Sequence, residues 1–271
     1  MEIFLPIADM HMSPIPLLFT GLVAGVLAGW LGIGGGIISL PVLIWMGLPP
    51  HIVAATQTIQ LLAAAASGSA VRWRLRRFDS RLVLLMICGG FFGIAVGMAL
   101  FTHLNDSGTL NNILMPVYIF VLTLAGIVMT GEGIKTHFAP STATRPLTAW
   151  MTGPVIPLAL GLSSGAIISF MGLGGAFLTL PVMIYLLRVP TDLAAGTSLL
   201  AVAALSAIVA PLHGTINNAI DPVLAMLLVA GTLVGAPLGA MIGTCTRDET
   251  ARLTIGLLAL VAATRLTFGV V

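Results

Sequence analysis

Two short stretches have the spacing from which chemistry could be built. Gly32-Ile33-Gly34-Gly35-Gly36-Ile37-Ile38-Ser39-Leu40-Pro41-Val42 is matched, at an offset of 140 residues, by Gly172-Leu173-Gly174-Gly175-Ala176-Phe177-Leu178-Thr179-Leu180-Pro181-Val182. Glycine admits tight turns and close backbone approach, and Pro41 and Pro181 interrupt regular hydrogen bonding in the segments that follow. Backbone N–H and C=O groups freed in this way cannot face lipid, so they must be buried in protein or line a wet cavity. The first N–H groups of a helix starting after such a turn carry partial positive charge and suit an anion. The candidate binding residues are therefore Gly32, Gly34, Gly35, Gly36 and Pro41, with Gly172, Gly174, Gly175, Ala176 and Pro181. A glycine-lined turn that only permits close helix packing would show the same pattern.

Neutral polar residues form the second constellation. Thr56, Gln57, Thr58 and Gln60 interrupt one apolar segment, and Thr197 and Ser198 interrupt its counterpart. Such side chains offer hydrogen bonds without the cost of a buried ion, to a ligand or equally to a neighbouring helix. Gln57 and Gln60, three apart, fall on one helical face. Catalysis has little support. The chain has no His-Glu-x-x-His run, Gly-x-Ser-x-Gly elbow or pair of carboxylates in mid-segment. Asp79, Asp106, Asp221, Asp248 and Glu249 fall in predicted loops, and His51 and His213 near segment ends, where capping or interfacial roles suit them. Cys88 and Cys245 have no zinc or redox spacing and read as small packing residues. No cofactor is implied.

The elements that must position these residues are membrane spans. Of 271 residues, 58% are hydrophobic and 7% charged, where a soluble domain carries roughly a quarter charged. Twenty formal charges cannot coat a water-facing surface. Disordered chains are poor in apolar residues, and a net charge of +2 gives no footprint for nucleic acid. Ten apolar segments run over 14–31, 37–48, 52–71, 82–102, 110–130, 147–171, 177–187, 193–212, 223–244 and 251–271. The second and seventh, which follow the glycine clusters, are too short to cross a hydrocarbon core of ~30 Å. They read as broken or re-entrant helices. The first residues, MEIFLPIADMHMSP, read as a short polar lead without the basic region of a signal peptide.

The match continues beyond the glycine clusters. Gly89, Gly93 and Gly97 are answered by Gly231, Gly235 and Gly239, in the same order, as in a tandem duplication. These four-residue ladders, with Gly21, Gly25 and Gly29, put small residues along one helix face and suit close packing. Arginine placement orients the halves. Arg72, Arg74, Arg76, Arg77 and Arg81 follow the third segment, whereas the equivalent loop, 213–221, has no Lys or Arg. Arg247 and Arg252 instead sit one crossing later. If the short segments turn back and the halves are inverted, ten of the eleven basic residues fall on the cytoplasmic face. Arg265 is the exception. Both termini are then predicted outside.

At the paired glycine–proline elements and at Gly196-Thr197-Ser198-Leu199, the chain resembles the TauE/SafE family of bacterial sulfite and sulfonate exporters or permeases, from about Gly21 to Leu266. The resemblance implies an inner-membrane transporter of sulfur-containing anions. Thr56-Gln57 departs from the Thr-Ser pair of the second half, which weakens any inference about substrate from that position. The expectation is an all-α polytopic membrane protein of two inverted-topology repeats, residues 1–135 and 136–271. Each repeat has about five helical segments, with short broken or re-entrant helices after the Gly-rich turns. A small anion, sulfite or an organosulfonate, would bind between the halves and cross by alternating access. An anion channel and a non-transporting scaffold are the alternatives. The bilayer is the other partner; a coupling proton or sodium ion and a homo-oligomer stay open.

Overall fold

A computed structural model describes residues 3–32, 34–74, 78–138, 153–187, 189–243 and 248–269. Within them ten α-helices fall on the ten apolar segments. They are α1 (Pro14–Leu31), α2 (Gly36–Trp45), α3 (Pro50–Arg74), α4 (Ser80–Asp106), α5 (Leu110–Phe138), α6 (Val155–Met171), α7 (Ala176–Tyr185), α8 (Thr191–Leu212), α9 (Pro222–Gly243) and α10 (Asp248–Gly269). Arg76, Arg77, Arg145, Arg188, Arg247, Cys245 and the 147–152 start of the sixth segment lie outside the described residues. Ser80–Asp106, Leu110–Gly131, Leu193–Asn217 and Pro222–Ile242 are each long and apolar enough to cross a membrane, and further apolar helices are shorter. Phe91, Phe92 and Val96 on α4 and Val234 and Met241 on α9 are exposed, as lipid-facing side chains are. The protein is an all-α membrane protein. Cys88 also lies exposed on α4 rather than packed, contrary to the sequence expectation.

The helices interlock across the two halves rather than packing within them. The most extensive pairings are α1 with α9, α4 with α6, α5 with α10 and α3 with α8. The glycine ladders make the first two. Gly21, Gly25 and Gly29 lie against the backbone of Leu228, Thr232 and Ala236, and Gly89, Gly93 and Gly97 against Leu158, Leu162 and Ala166. Residue numbers rise together in both, so these pairs run parallel. In α5 and α10 the order is reversed, since Gly126 meets Leu260 while Gly256 meets Thr130. Helices α3 and α8 are antiparallel too: Thr56, early in α3, bonds beyond the end of α8, and Thr197, early in α8, bonds beyond the end of α3. This set of directions is the one that a two-fold axis running across the helices would generate. The 135/136 division falls within the last turn of α5.

The N-terminus differs from its expectation. Instead of a polar lead it forms an antiparallel hairpin, β1 (Ile3–Leu5) with β2 (Met10–Met12), in which Phe4 faces His11. Its anchor is Asp221, whose Oδ2 accepts the N–H groups of Ile7 (2.9 Å) and Ala8 (3.3 Å). Oδ1 of the same carboxylate caps α9 at the N–H groups of Val223 and Leu224, both at 3.0 Å. A buried carboxylate with four N–H donors is fully compensated. His213 is also buried, in a π-turn over His213–Asn217 that continues α8. Its Nε2–H donates to the Ser169 carbonyl (2.8 Å), its Nδ1 meets Asn217 (3.2 Å), and the Phe101 ring stands edge-on to it. These contacts tie α6 to the end of α8, a packing role rather than an interfacial one.

Candidate functional site

The site starts where two long helices stop. Helices α1 and α6 end at Gly32 and Gly172, whose φ angles of 73° and 66° are the left-handed cap that glycine adopts most readily. Their N–H groups close onto Ala28 O (2.9 Å) and Ile168 O (3.0 Å). Helices α2 and α7 begin shortly after, at Gly36 and Ala176, with Gly35 and Gly175 in the capping positions. Each has 10 residues, about 15 Å at ~1.5 Å per residue, half of a hydrocarbon core. Pro41 and Pro181 stand within these short helices, and a proline there leaves the carbonyl four residues earlier without its N–H.

The two turns meet in the interior. Gly32 packs on Ala195 of α8, and Gly172 on Ala54 of α3, so each turn rests on the opposite half. A methyl group on Gly36 would lie 3.3 Å from the Gly172 carbonyl oxygen, 3.5 Å from the Gly174 nitrogen and 3.5 Å from Gln57 Oε1. Three polar groups therefore converge on the space that Gly36 leaves free. At the equivalent position the second half carries Ala176, which is fully buried. Both short helices start at this meeting point, where Ile38 and Leu178 already bond back to the Gly35 and Gly175 carbonyls, so that the N–H groups of the first two residues of each helix are those without intrahelical acceptors.

Two symmetric pairs of hydrogen bonds frame the turns. Gln57 Nε2 donates to Ser39 Oγ (2.9 Å), and Ser198 Oγ is hydrogen-bonded to Thr179 Oγ1 (3.1 Å), whose own proton goes to Ala176 O. Ser39 and Thr179 are equivalent at the 140 offset. Likewise the Asp221 N–H donates to Thr56 Oγ1 (3.1 Å) and the Asp79 N–H to Thr197 Oγ1 (3.0 Å). Thr56 and Thr197 thus hold the capping aspartates of α9 and α4, each across the halves. Ser39 donates its own proton to Gly35 O (3.1 Å), which fixes Gln57 as the donor between them. Gln57 Oε1 is then buried without a partner. Turning the amide over, with Ser39 redirected toward it, would present Nε2 instead, so Gln57 can either accept or donate.

Of the candidate residues, Gly34, Gly36, Gly172, Gly174 and Gln57 come together. Gly32, Gly35, Gly175 and Ala176 shape the turns, and Pro41 and Pro181 lie further along the short helices. Gln60 points elsewhere: its Nε2 donates to Thr232 Oγ1 (3.2 Å) on α9, which in turn donates to Gly21 O (3.0 Å). Gln60 Oε1 is buried and unpartnered as well. Ser39 and Thr179 were not among the candidates, although their matching hydroxyls in the repeat were a usable signal. Tyr118, whose hydroxyl donates to Met171 O (2.8 Å) next to Gly172, had no such signal. Among the described residues, no group of three or more His, Cys, Asp or Glu could hold a metal ion.

Comparison with known proteins bears on the whole chain. Residues 17–266 match the family described as Sulfite exporter TauE/SafE. A "Probable membrane transporter protein" of Xylella fastidiosa (strain Temecula1 / ATCC 700964) is 29% identical over 250 residues, 86% of this chain and 85% of that protein. The "Probable membrane transporter protein YunE" of Bacillus subtilis is 23% identical, over 88% of this chain and 92% of its own. "Sulfite exporter TauE/SafE family protein 5" of Arabidopsis thaliana is 32% identical, over 41% of this chain and 24% of its own. No solved structure matches the chain.

Proposed function

The chain belongs to the sulfite exporter TauE/SafE family, and from that premise we propose a secondary transporter that moves a small anion, sulfite or an organosulfonate, by alternating access between two inverted halves. The supporting observation is the meeting of the Gly34–Gly36 and Gly172–Ala176 turns at the starts of α2 and α7, beside the unpartnered amide of Gln57. Two helix N-termini supply N–H donors and partial positive charge, and the site needs no buried cation to balance the anion. Gln57 adds a group that serves a sulfur oxyanion in either protonation state. The antiparallel relation of α3 to α8 and of α5 to α10 favours inversion of residues 1–135 against 136–271, with the site near the middle of the bundle. On this reading the arginine-rich end of α3 is cytoplasmic, both termini are outside, and the protein resides in the bacterial inner membrane.

Purified protein in proteoliposomes tests the reading through flux of radiolabelled sulfite, with taurine and sulfoacetate as competitors. Saturable sulfite flux, reduced by Gly36→Ala in a variant that still melts like the wild type, is the expected result. Flux that never saturates would identify a channel. Cation flux without anion flux would overturn the proposal, and folded protein without flux of either would favour a scaffold.

A further inference from the structure

A cavity of about 490 Å3 lies on the flank of the bundle, away from the glycine turns, between α2 and α10 with Met115 of α5. On α10 its wall is formed by Leu258, Val261, Ala262, Arg265 and Leu266, a spacing that repeats one helical face over about 12 Å. Ile38, Val42 and Trp45 of α2 form the opposite wall. The two helices touch, yet between their apolar faces they leave this space unfilled. Arg265 and Trp45 close one end of the cavity, with the guanidinium carbon 5.9 Å from the indole centroid. Among the described residues Arg265 lies against that ring and no carboxylate pairs with it. Trp45 itself is 72% exposed. This end adjoins the start of α3, one helix length (roughly 37 Å) from the arginine-rich α3–α4 turn.

We propose that this cavity is a phospholipid site, with an acyl chain between α2 and α10 and the headgroup phosphate on Arg265. Apolar walls suit the chain and exclude a small hydrated anion. A tryptophan and a snorkelling arginine at one end are the side chains that seat at headgroup level. The planar guanidinium matches phosphate oxygens in a bidentate fashion. Arg265, the one basic residue that the positive-inside expectation leaves outside, would thereby gain the counter-charge that no carboxylate among the described residues supplies. Because α2 is also one of the two short helices at the glycine turns, the lipid would press on an element that frames the site.

Native mass spectrometry of the purified chain with phosphatidylglycerol or phosphatidylcholine tests this without any transport assay. Wild-type protein should retain one phosphatidylglycerol, about fivefold above phosphatidylcholine. Arg265→Gln should bring phosphatidylglycerol down to the phosphatidylcholine level, while Arg265→Lys keeps part of the preference. Ala262→Trp, or Val261→Phe if the first variant melts below the wild type, should fill the cavity and lower retention of both lipids. Equal retention of the two lipids by wild type would overturn the proposal, as would unchanged retention in the charge variant or in a folded filling variant. Release as a lipid-free dimer protected at Trp45 would assign the cavity to a second copy instead.

Discussion

The two halves build the same frame and fill it differently. Thr56 and Thr197 hold the opposite half's capping aspartate, and Ser39 and Thr179 receive the third and eighth helices at Gln57 and Ser198. Within that frame the first half has Gly36, Gln57 and Gln60 where the second has Ala176, Ser198 and Ala201. The frame is what duplication needs to keep the halves interlocked. At the turns the amide side chain and the missing methyl both belong to the first half. Two buried acceptors, Gln57 Oε1 and Gln60 Oε1, lack partners there, and a buried polar atom without a partner costs ~1–3 kcal/mol. The proposed ligand site therefore draws on the first half through Gln57, while Gln60 is engaged with Thr232 on the ninth helix.

The largest expected break in the symmetry lies at the capping aspartates. Asp221 holds four N–H groups, two of them from the hairpin, whereas among the described residues Asp79 accepts the N–H groups of Arg81 and Leu82. Asp221→Ala should lower stability by about 3–5 kcal/mol and Asp79→Ala by about 1 kcal/mol, read as loss of melting temperature in matched micelles. Equal losses would mean that the hairpin is not held by this carboxylate. Next comes the space between the turns. Gly36→Ala should weaken sulfite binding at least about tenfold, or ~1.4 kcal/mol, with little change in melting, whereas Ala176→Gly should move binding by less than about twofold. Similar effects from both would place the ligand on the two-fold axis.

Gln57→Ser makes the first half resemble the second and should cost about fivefold in affinity, or ~1 kcal/mol. An unchanged dissociation constant, measured by isothermal titration, would reduce Gln57 to a helix–helix bond. The smallest effect is expected at Gln60. Gln60→Met replaces an amide with a weak 3.2 Å bond and an unpartnered oxygen by an apolar side chain of similar length. Stability should stay within about 0.5 kcal/mol and transport should be unaffected. A large transport defect would show that Gln60 turns toward the substrate in another state of the cycle.

How much of this was legible in the sequence depended on how local the signal was. Helix positions followed from runs of apolar residues, and the turns from glycine and proline, whose constraints act within a few residues. The fixed offset of 140 also carried over from sequence to space, pairing Gly32 with Gly172 and Ser39 with Thr179. Gln57 and Gln60 could not be separated by spacing alone: a three-residue step leaves about 60° between their directions, enough for one to face Ser39 and the other Thr232. The hairpin was illegible for a different reason. Its strands are three residues each, too short for an alternating pattern, and its anchor lies 214 positions away from Ile7.

That distance bears on the order of assembly. Residues of the hairpin leave the ribosome long before the carboxylate that fixes them, which arrives only with the ninth helix. In the same way the first helix must wait for the ninth, its main packing partner. The hairpin is therefore synthesised well before it can be fastened. Appending a bulky fusion there would burden the last closure rather than the first insertion, and its yield would report on that closure.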